Sequence, residues 1–130
     1  MKVYFLGSPL TETKIFKIIQ KIEIPVVHYV PGEELPDGED LIFIDFAKNI
    51  KKAMLIEGLA TLEKNSSYSP HDYGIYEELK AKQLLGNLKK VYFIALPFNI
   101  DEEIAKEEIK SFLFLISKND LRKKNKGHKL

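Results

Sequence analysis

Short apolar runs alternate with amphipathic segments along this chain. The run at residues 41–44, between Asp40 and Asp45, contains no polar residue and predicts a strand that is buried on both faces. Further strands are predicted at residues 3–6, 26–30 and 91–96 and, at a sheet edge, at residues 53–56. Strands buried on both faces are typical of a parallel sheet that is covered by helices.

Three segments between and after these strands have the apolar spacing of amphipathic helices. The first follows Thr11, a candidate N-cap, and runs to about residue 22. The second is predicted from Ser69 as N-cap, with Pro70 in the first helical position, to about residue 85, where Gly86 stops it. The third opens at residues 101–103. The residues predicted to face inward are Ile15, Ile18, Ile19, Ile22, Ile75, Leu79, Leu84, Leu85, Ile104, Ala105, Ile109, Phe112, Leu113 and Ile116.

The order of these elements predicts the fold class. Strands alternate with helices along most of the chain, which favours a three-layer αβα sandwich with a largely parallel, mixed central sheet. The 130 residues suffice for one domain, predicted to occupy residues 1–116. Residues 117–130 hold six Lys or Arg against one Asp and predict a basic, flexible C-terminal tail.

Composition excludes several chemistries and partners. The chain has no cysteine, which rules out disulfides, thiolate metal ligands and a cysteine nucleophile, and favours a cytoplasmic protein. No apolar run approaches the roughly 20 residues of a membrane span, and the N-terminus enters a strand directly, without the features of a signal peptide. The basic tail lacks interleaved aromatic residues, so nucleic acid is not expected as a partner.

Three polar side chains are predicted to share one edge of the sheet. Glu12 lies in the first helical turn after the first strand, Asp45 ends the central strand, and His71 lies in the first turn of the second helix. The carboxyl ends of parallel strands line the ligand crevice of such sheets. Carboxylate oxygens and an imidazole nitrogen suit a borderline divalent ion such as nickel or zinc. A helix N-terminus would also favour a neutral, ligating His71 and an ionised Glu12.

Each candidate also has a simpler interpretation. Glu12 could only stabilise a helix start, Asp45 could cap the strand, and His71 could assist the N-cap. His28 alternates with apolar neighbours and is interpreted as a packed or surface histidine. The segment at residues 7–13 weakly resembles a flavodoxin-like phosphate loop, although Pro9 removes one backbone N–H from it.

Three segments resemble the nickel–iron hydrogenase maturation endopeptidases. They are residues 3–10, similar to the family's opening strand and turn; residues 40–45, similar to its strand ending in Asp; and residues 69–74, similar to its His segment. The strand at residues 91–97 and the Glu-rich last helix follow in the same order, so the resemblance covers about residues 1–116.

The resemblance implies a function and a set of site residues. Members of this family remove a C-terminal extension from the hydrogenase large-subunit precursor after nickel insertion. By matching segments, the residues that contact nickel and carry catalysis would be Glu12, Asp45 and His71, with the nickel supplied by the precursor. The alternatives are a non-catalytic relative that binds a metalloprotein precursor as an assembly factor, or a flavodoxin-like nucleotide- or flavin-binding domain.

Overall fold

A computed structural model describes residues 1–6, 12–65, 68, 70 and 74–128 of the 130-residue chain. For residues 12, 13, 15, 16 and 120–128 the description covers the backbone alone. The strands are β1 (Lys2–Phe5), β2 (Val26–His28), β3 (Leu41–Ala47), β4 (Met54–Glu57) and β5 (Val91–Pro97). The helices are α1 (Glu12–Gln20), α2 (Leu59–Lys64), α3 (Ile75–Leu84) and α4 (Glu102–His128).

The strands form one mixed sheet in the order β2-β1-β3-β5-β4. The pairs β1–β2, β1–β3 and β3–β5 are parallel, and only the edge strand β4 is antiparallel to its neighbour β5. All seven residues of β3 and of β5 are buried. The predicted largely parallel sheet, its two continuously buried strands and its short edge strand are therefore confirmed.

Helices cover both faces of the sheet and complete the αβα sandwich. Strand side chains point alternately to the two faces. Ile18 of α1 and Ile109 of α4 belong to the core on one face, while Leu62 of α2 and Leu79 of α3 belong to the core on the other. We call the second of these the α2/α3 face. The predicted three-layer architecture is confirmed.

An aromatic row fills the middle of the α2/α3 face. The rings of Tyr4, Phe43 and Phe93, from three adjacent strands, stack with centroids 5.4 Å apart in both pairs. All three residues are at most 1 % exposed. Buried aromatic pairs contribute about 0.5–1.5 kcal/mol beyond their area, so this row fixes the register of β1, β3 and β5.

Several expectations about the elements were wrong in detail. Helix α2 was not foreseen, because a six-residue helix gives too short a periodic signal. Helix α3 begins at Ile75 rather than at Pro70, with Gly74 as its N-cap at a left-handed φ of 94°. The predicted stop at Gly86 is confirmed, since this glycine follows the helix with a φ of 75°.

Three residues predicted to face inward are instead exposed. Leu84 and Leu85, the last residue of α3 and its C-cap, are 86 % and 73 % exposed. Ile104 is 55 % exposed, while its neighbour Ala105 takes the buried position in α4. Helix α4 continues past residue 116 to His128, so its backbone carries on into the basic segment. The division of the chain into a domain at residues 1–116 and a flexible tail at residues 117–130 stays a prediction.

Candidate active site

The order of the strands places a topological switch point between β1 and β3. From β1 the chain passes over one face through α1 to β2, whereas from β3 it turns the other way, to β4 and then to α2 and α3. Adjacent parallel strands whose connections leave in opposite directions form a switch point, and ligands of α/β sheets bind there, outside the carboxyl ends. The carboxyl ends of β1 and β3 are therefore where a site is expected in this molecule.

Asp45 lies in β3 at this end of the sheet. Sequence analysis placed it at the end of the strand, but β3 continues for two more residues because Phe46 and Ala47 pair with Leu96 and Pro97 of β5. Asp45 is only 2 % exposed. By alternation its side chain shares the α2/α3 face with Phe43 and Ala47.

The neighbours of Asp45 leave space for its carboxylate. Asp45 pairs in register with Ala95 of β5, and the next residue of β3 on the same face is Ala47. Both alanines are buried, and neither carries more than a methyl group on this face. A carboxylate in such surroundings must be hydrogen-bonded, because burying it without partners costs several kcal/mol.

Tyr68 supplies a hydrogen bond to this carboxylate. Its phenolic OH donates to Oδ2 of Asp45 at 3.0 Å, and the tyrosine is itself only 4 % exposed. The ring lies 6.3 Å from that of Phe93, tilted by 54°. The backbone N–H of Tyr68 donates to Oδ1 of Asn65 at 2.9 Å. Tyr68 is thus held at both ends, and it fixes one oxygen of Asp45.

The other two predicted ligands are Glu12 and His71. Glu12 is the first residue of α1, after β1, and the structure describes its backbone but not its side chain. His71 lies outside the described residues altogether. Among the side chains that the structure describes, no three acidic, histidine or cysteine groups could hold a metal ion together. The meeting of Glu12, Asp45 and His71 stays a prediction.

The expected effect of a helix N-terminus on His71 stays a prediction. Helix α3 starts at Ile75, and His71 lies outside the described residues. The charge of a helix end acts mainly within the first turn. For Glu12, which does begin α1, the expectation stands. His28 is a packed histidine as interpreted, with its ring stacked on that of Phe5 at 4.5 Å.

Sequence reasoning missed Tyr68. Residues 63–68 are polar except for one aromatic residue, Tyr68, which is not among the predicted site residues. The signal was nevertheless present: an aromatic residue that carries a hydroxyl, alone in a polar segment, often buries its ring and finds a partner for its OH. That partner, Asp45, lies 23 positions earlier, so local pattern could not identify it.

Comparison with solved structures shows which proteins share this architecture. The fold is that of a hydrogenase maturating endopeptidase. The matching structure is that of HybD from E. coli, with a TM-score of 0.55 and 18 % sequence identity, over 87 % of this chain and 92 % of that one. At this identity the likeness establishes the fold. The resemblance found in the sequence and the likeness found in the structure agree on the same group of proteins.

Sequence comparisons give no further relatives. No protein-family model matches the chain, and no curated protein gives a significant match. Within the described residues, no helix is both long and apolar enough to cross a bilayer.

Proposed function

We propose that this protein is an endopeptidase that removes the C-terminal extension of a nickel–iron hydrogenase large-subunit precursor. The observation that carries the proposal is the position of Asp45: a buried carboxylate at the switch point of a sheet whose fold is shared with HybD. The resemblance of residues 1–116 to these endopeptidases in sequence is a second support, and it assigns Asp45 the role of a ligand.

In this proposal the nickel ion is part of the substrate. It arrives already bound in the precursor, and Glu12, Asp45 and His71 occupy its open positions. These contacts hold the adjacent peptide bond in one place, and the ion then polarises the scissile carbonyl or activates water. Tyr68 engages Oδ2 of Asp45, so that the carboxylate is held in one orientation.

The burial of Asp45 adds a requirement to this scheme. A carboxylate that is 2 % exposed cannot contact an ion on another protein without movement of the side chains that cover it. Tyr68 belongs to the segment between α2 and α3, on which His71 also lies in sequence. We therefore propose that precursor binding displaces part of this segment and exposes the carboxylate.

A cleavage assay tests the function directly. Nickel-loaded and nickel-free precursor are incubated with the protein and with the variants Asp45→Asn, His71→Ala and Glu12→Gln. Only the loaded precursor should be cut, and each variant should lower the rate by at least about 100-fold, because each removes a proposed ligand. Asp45→Asn is the most specific of these variants, since the amide oxygen still accepts the hydrogen bond of Tyr68 and the fold should be preserved.

Control variants make the same chemical changes elsewhere. Asp37→Asn alters an exposed carboxylate that precedes β3, at the end of the strand opposite to Asp45. His128→Ala changes a histidine at the last residue of α4, and Glu23→Gln an exposed residue between α1 and β2. All three should cleave normally. Binding of the loaded precursor without cleavage would instead indicate an assembly factor, and a yellow purified protein would indicate the flavodoxin-like alternative.

A further inference from the structure

A basic and aromatic surface lies at the same carboxyl edge of the sheet as Asp45. It is formed by Lys14 of α1, by Phe46 of β3, by Phe98 after β5, and by Lys48, Lys51 and Lys52 of the loop between β3 and β4. We call these residues the basic rim. Because β5 lies between β3 and β4, that loop passes over the carboxyl end of β5.

Contacts between cations and rings hold the rim together. The amine of Lys48 lies 5.9 Å from the ring centre of Phe98, and that of Lys14 lies 5.7 Å from the ring centre of Phe46. Lys14 Nζ also donates a hydrogen bond to the backbone oxygen of Phe98 at 3.2 Å. The two rings are 5.8 Å apart. Lys14 and Lys48 are thus positioned by aromatic faces, whose attraction leaves their positive charge uncompensated.

The lysines of the rim lack the carboxylate partners that several other lysines of the molecule have. Lys21 pairs with Glu103, Lys80 with Glu63, and Lys82 with Asp37. By contrast, Lys48, Lys51 and Lys52 form no ion pair with any residue that the structure describes. The three are exposed.

The local sequence explains this difference. Residues 46–55 and 91–100 contain no Asp or Glu, although the first 116 residues as a whole carry a formal charge of −4. Of the acidic residues that flank these ranges, Asp45 is buried with its Oδ2 engaged by Tyr68, and Asp101 has its Oδ2 engaged by the backbone N–H groups of Glu103 and Ile104 at the start of α4. Positive charge is therefore concentrated at this edge of an otherwise acidic body.

We propose that the basic rim binds an acidic, extended peptide segment of the protein substrate. Charge complementarity selects the acidic residues of such a segment, and Phe98, which is 39 % exposed beside Lys48, offers a contact for an apolar one. The rim lies at the same carboxyl end of the sheet as the proposed site but on the opposite face, because Phe46 and Asp45 are consecutive in β3 and point to opposite faces. Lys14 is two residues after Glu12 in α1. A segment crossing the rim would bring the neighbouring part of the precursor to Asp45. In assigning the segment to the precursor, this inference rests on the proposed function.

A binding measurement with defined peptides tests the rim without requiring cleavage. The probe is a fluorescein-labelled peptide of about ten residues, long enough to span about 33 Å when extended, in which glutamates alternate with leucine and glycine. Fluorescence anisotropy should show binding that weakens as salt rises from about 50 to about 300 mM. The same peptide with glutamine in place of glutamate should bind at least about tenfold more weakly.

Charge reversal locates the binding. The double variant Lys48→Glu/Lys51→Glu should weaken binding of the glutamate peptide at least about tenfold, since two attractions become repulsions. Lys89→Glu, at an exposed lysine before β5 on the opposite edge, is the matched control and should bind normally. Equal binding by the double variant, or by the glutamine peptide, would overturn the proposal. So would tighter binding of a single-stranded oligonucleotide of the same charge, which would assign the rim to nucleic acid.

Cleavage of nickel-loaded precursor separates this inference from the proposed function. If the protein cuts the precursor and the double variant does so with an unchanged KM, the rim proposal is wrong and the endopeptidase stands. If the protein binds the glutamate peptide through the rim but never cuts, the endopeptidase is wrong and the rim stands. If both are right, the double variant raises KM and leaves kcat nearly unchanged, because the rim holds substrate and transition state alike.

Discussion

The hydroxyl of Tyr68 donates a 3.0 Å hydrogen bond to Oδ2 of Asp45, and both residues are almost fully buried. This bond joins the central strand of the sheet to the segment between α2 and α3. The two bonded residues are 23 positions apart in the sequence. Any role of Asp45 as a ligand therefore depends on a residue outside its own strand.

Replacing Tyr68 by phenylalanine removes this hydrogen bond and keeps the ring. The free energy of unfolding should fall by about 1–3 kcal/mol, because a buried carboxylate loses a donor. Cleavage of nickel-loaded precursor should fall by about 10–100-fold, the usual cost of losing a group that orients a metal ligand. Urea unfolding and the cleavage assay measure the two effects.

The control for this variant is Tyr76→Phe. Tyr76 OH donates to Glu63 at the surface of the molecule, so the same chemical change should have little effect on stability or cleavage. If Tyr68→Phe lowers stability and leaves cleavage intact, Tyr68 only supports the fold. An effect of Tyr76→Phe on cleavage equal to that of Tyr68→Phe would also contradict an orienting role.

The free protein should not gain stability from nickel. Asp45 is covered, and the ion is expected to arrive with the precursor, so adding nickel alone should not raise the midpoint of thermal unfolding more than it does for Asp45→Asn. A nickel-dependent rise in the wild type that is absent from Asp45→Asn would show a resident metal site and contradict the proposed order of events.

The ion pair between α1 and α4 should make stability depend on pH. Lys21 Nζ donates to Oε1 of Glu103 at 2.6 Å, and this bond is the main reason why the pKa of Glu103 lies below its usual value of 4.5. Because the folded state lowers this pKa, the carboxylate stabilises the fold above pH 4.5, and the contribution is lost as pH falls through the lower, folded value.

Glu103→Gln tests this dependence. The variant should be less stable than the wild type at about pH 7, and the difference should shrink as the pH falls below 4.5 and through the lower pKa of the folded state. Urea unfolding over a series of pH values is the measurement. The same bond raises the pKa of Lys21 above 10.5, so the lysine's contribution is lost only above that pH. Glu23→Gln, at an exposed glutamate without a described partner, should show no such change; a difference that persists in acid would refute the assignment.

The aromatic row should dominate the stability of the sheet. Phe43→Ala removes the middle ring between Tyr4 and Phe93 and should cost about 3–5 kcal/mol. Phe98→Ala, at the partly exposed ring of the basic rim, should cost about 1 kcal/mol or less. Urea unfolding of the two variants compares them, and a similar loss for both would show that the row has no special weight.

The sequence predicted the layers of the fold well because apolar runs and helical stripes report burial directly. The buried runs around Ile42 and Ile94 became the two central parallel strands, and the stripe of Ile109 and Leu113 became the buried side of α4. The extent of each element was less predictable. The pairing of β5 with β3 extended β3 beyond Asp45, and Gly74 delayed the start of α3, which are effects of tertiary contact and of backbone conformation.

The candidate site was predictable only in part. Asp45 could be selected because a carboxylate that follows an apolar run breaks the pattern. Tyr68 could not be connected with it, because nothing local links a tyrosine in a polar loop to a distant strand. Glu12 and His71 were reached from the ends of predicted elements, and their meeting with Asp45 is still to be tested.

The cover over Asp45 bears on how such a protein would avoid cutting the wrong chain. A permanently open cluster of ligands would capture any passing cation and hydrolyse whatever backbone came near. If the protein is such an enzyme, a buried carboxylate that is hydrogen-bonded to a tyrosine would keep it inactive in the absence of the precursor. Under the proposed function, activation would then need a nickel-loaded precursor that both delivers the ion and exposes Asp45. Nickel insertion would thus be verified before the peptide bond is irreversibly cleaved.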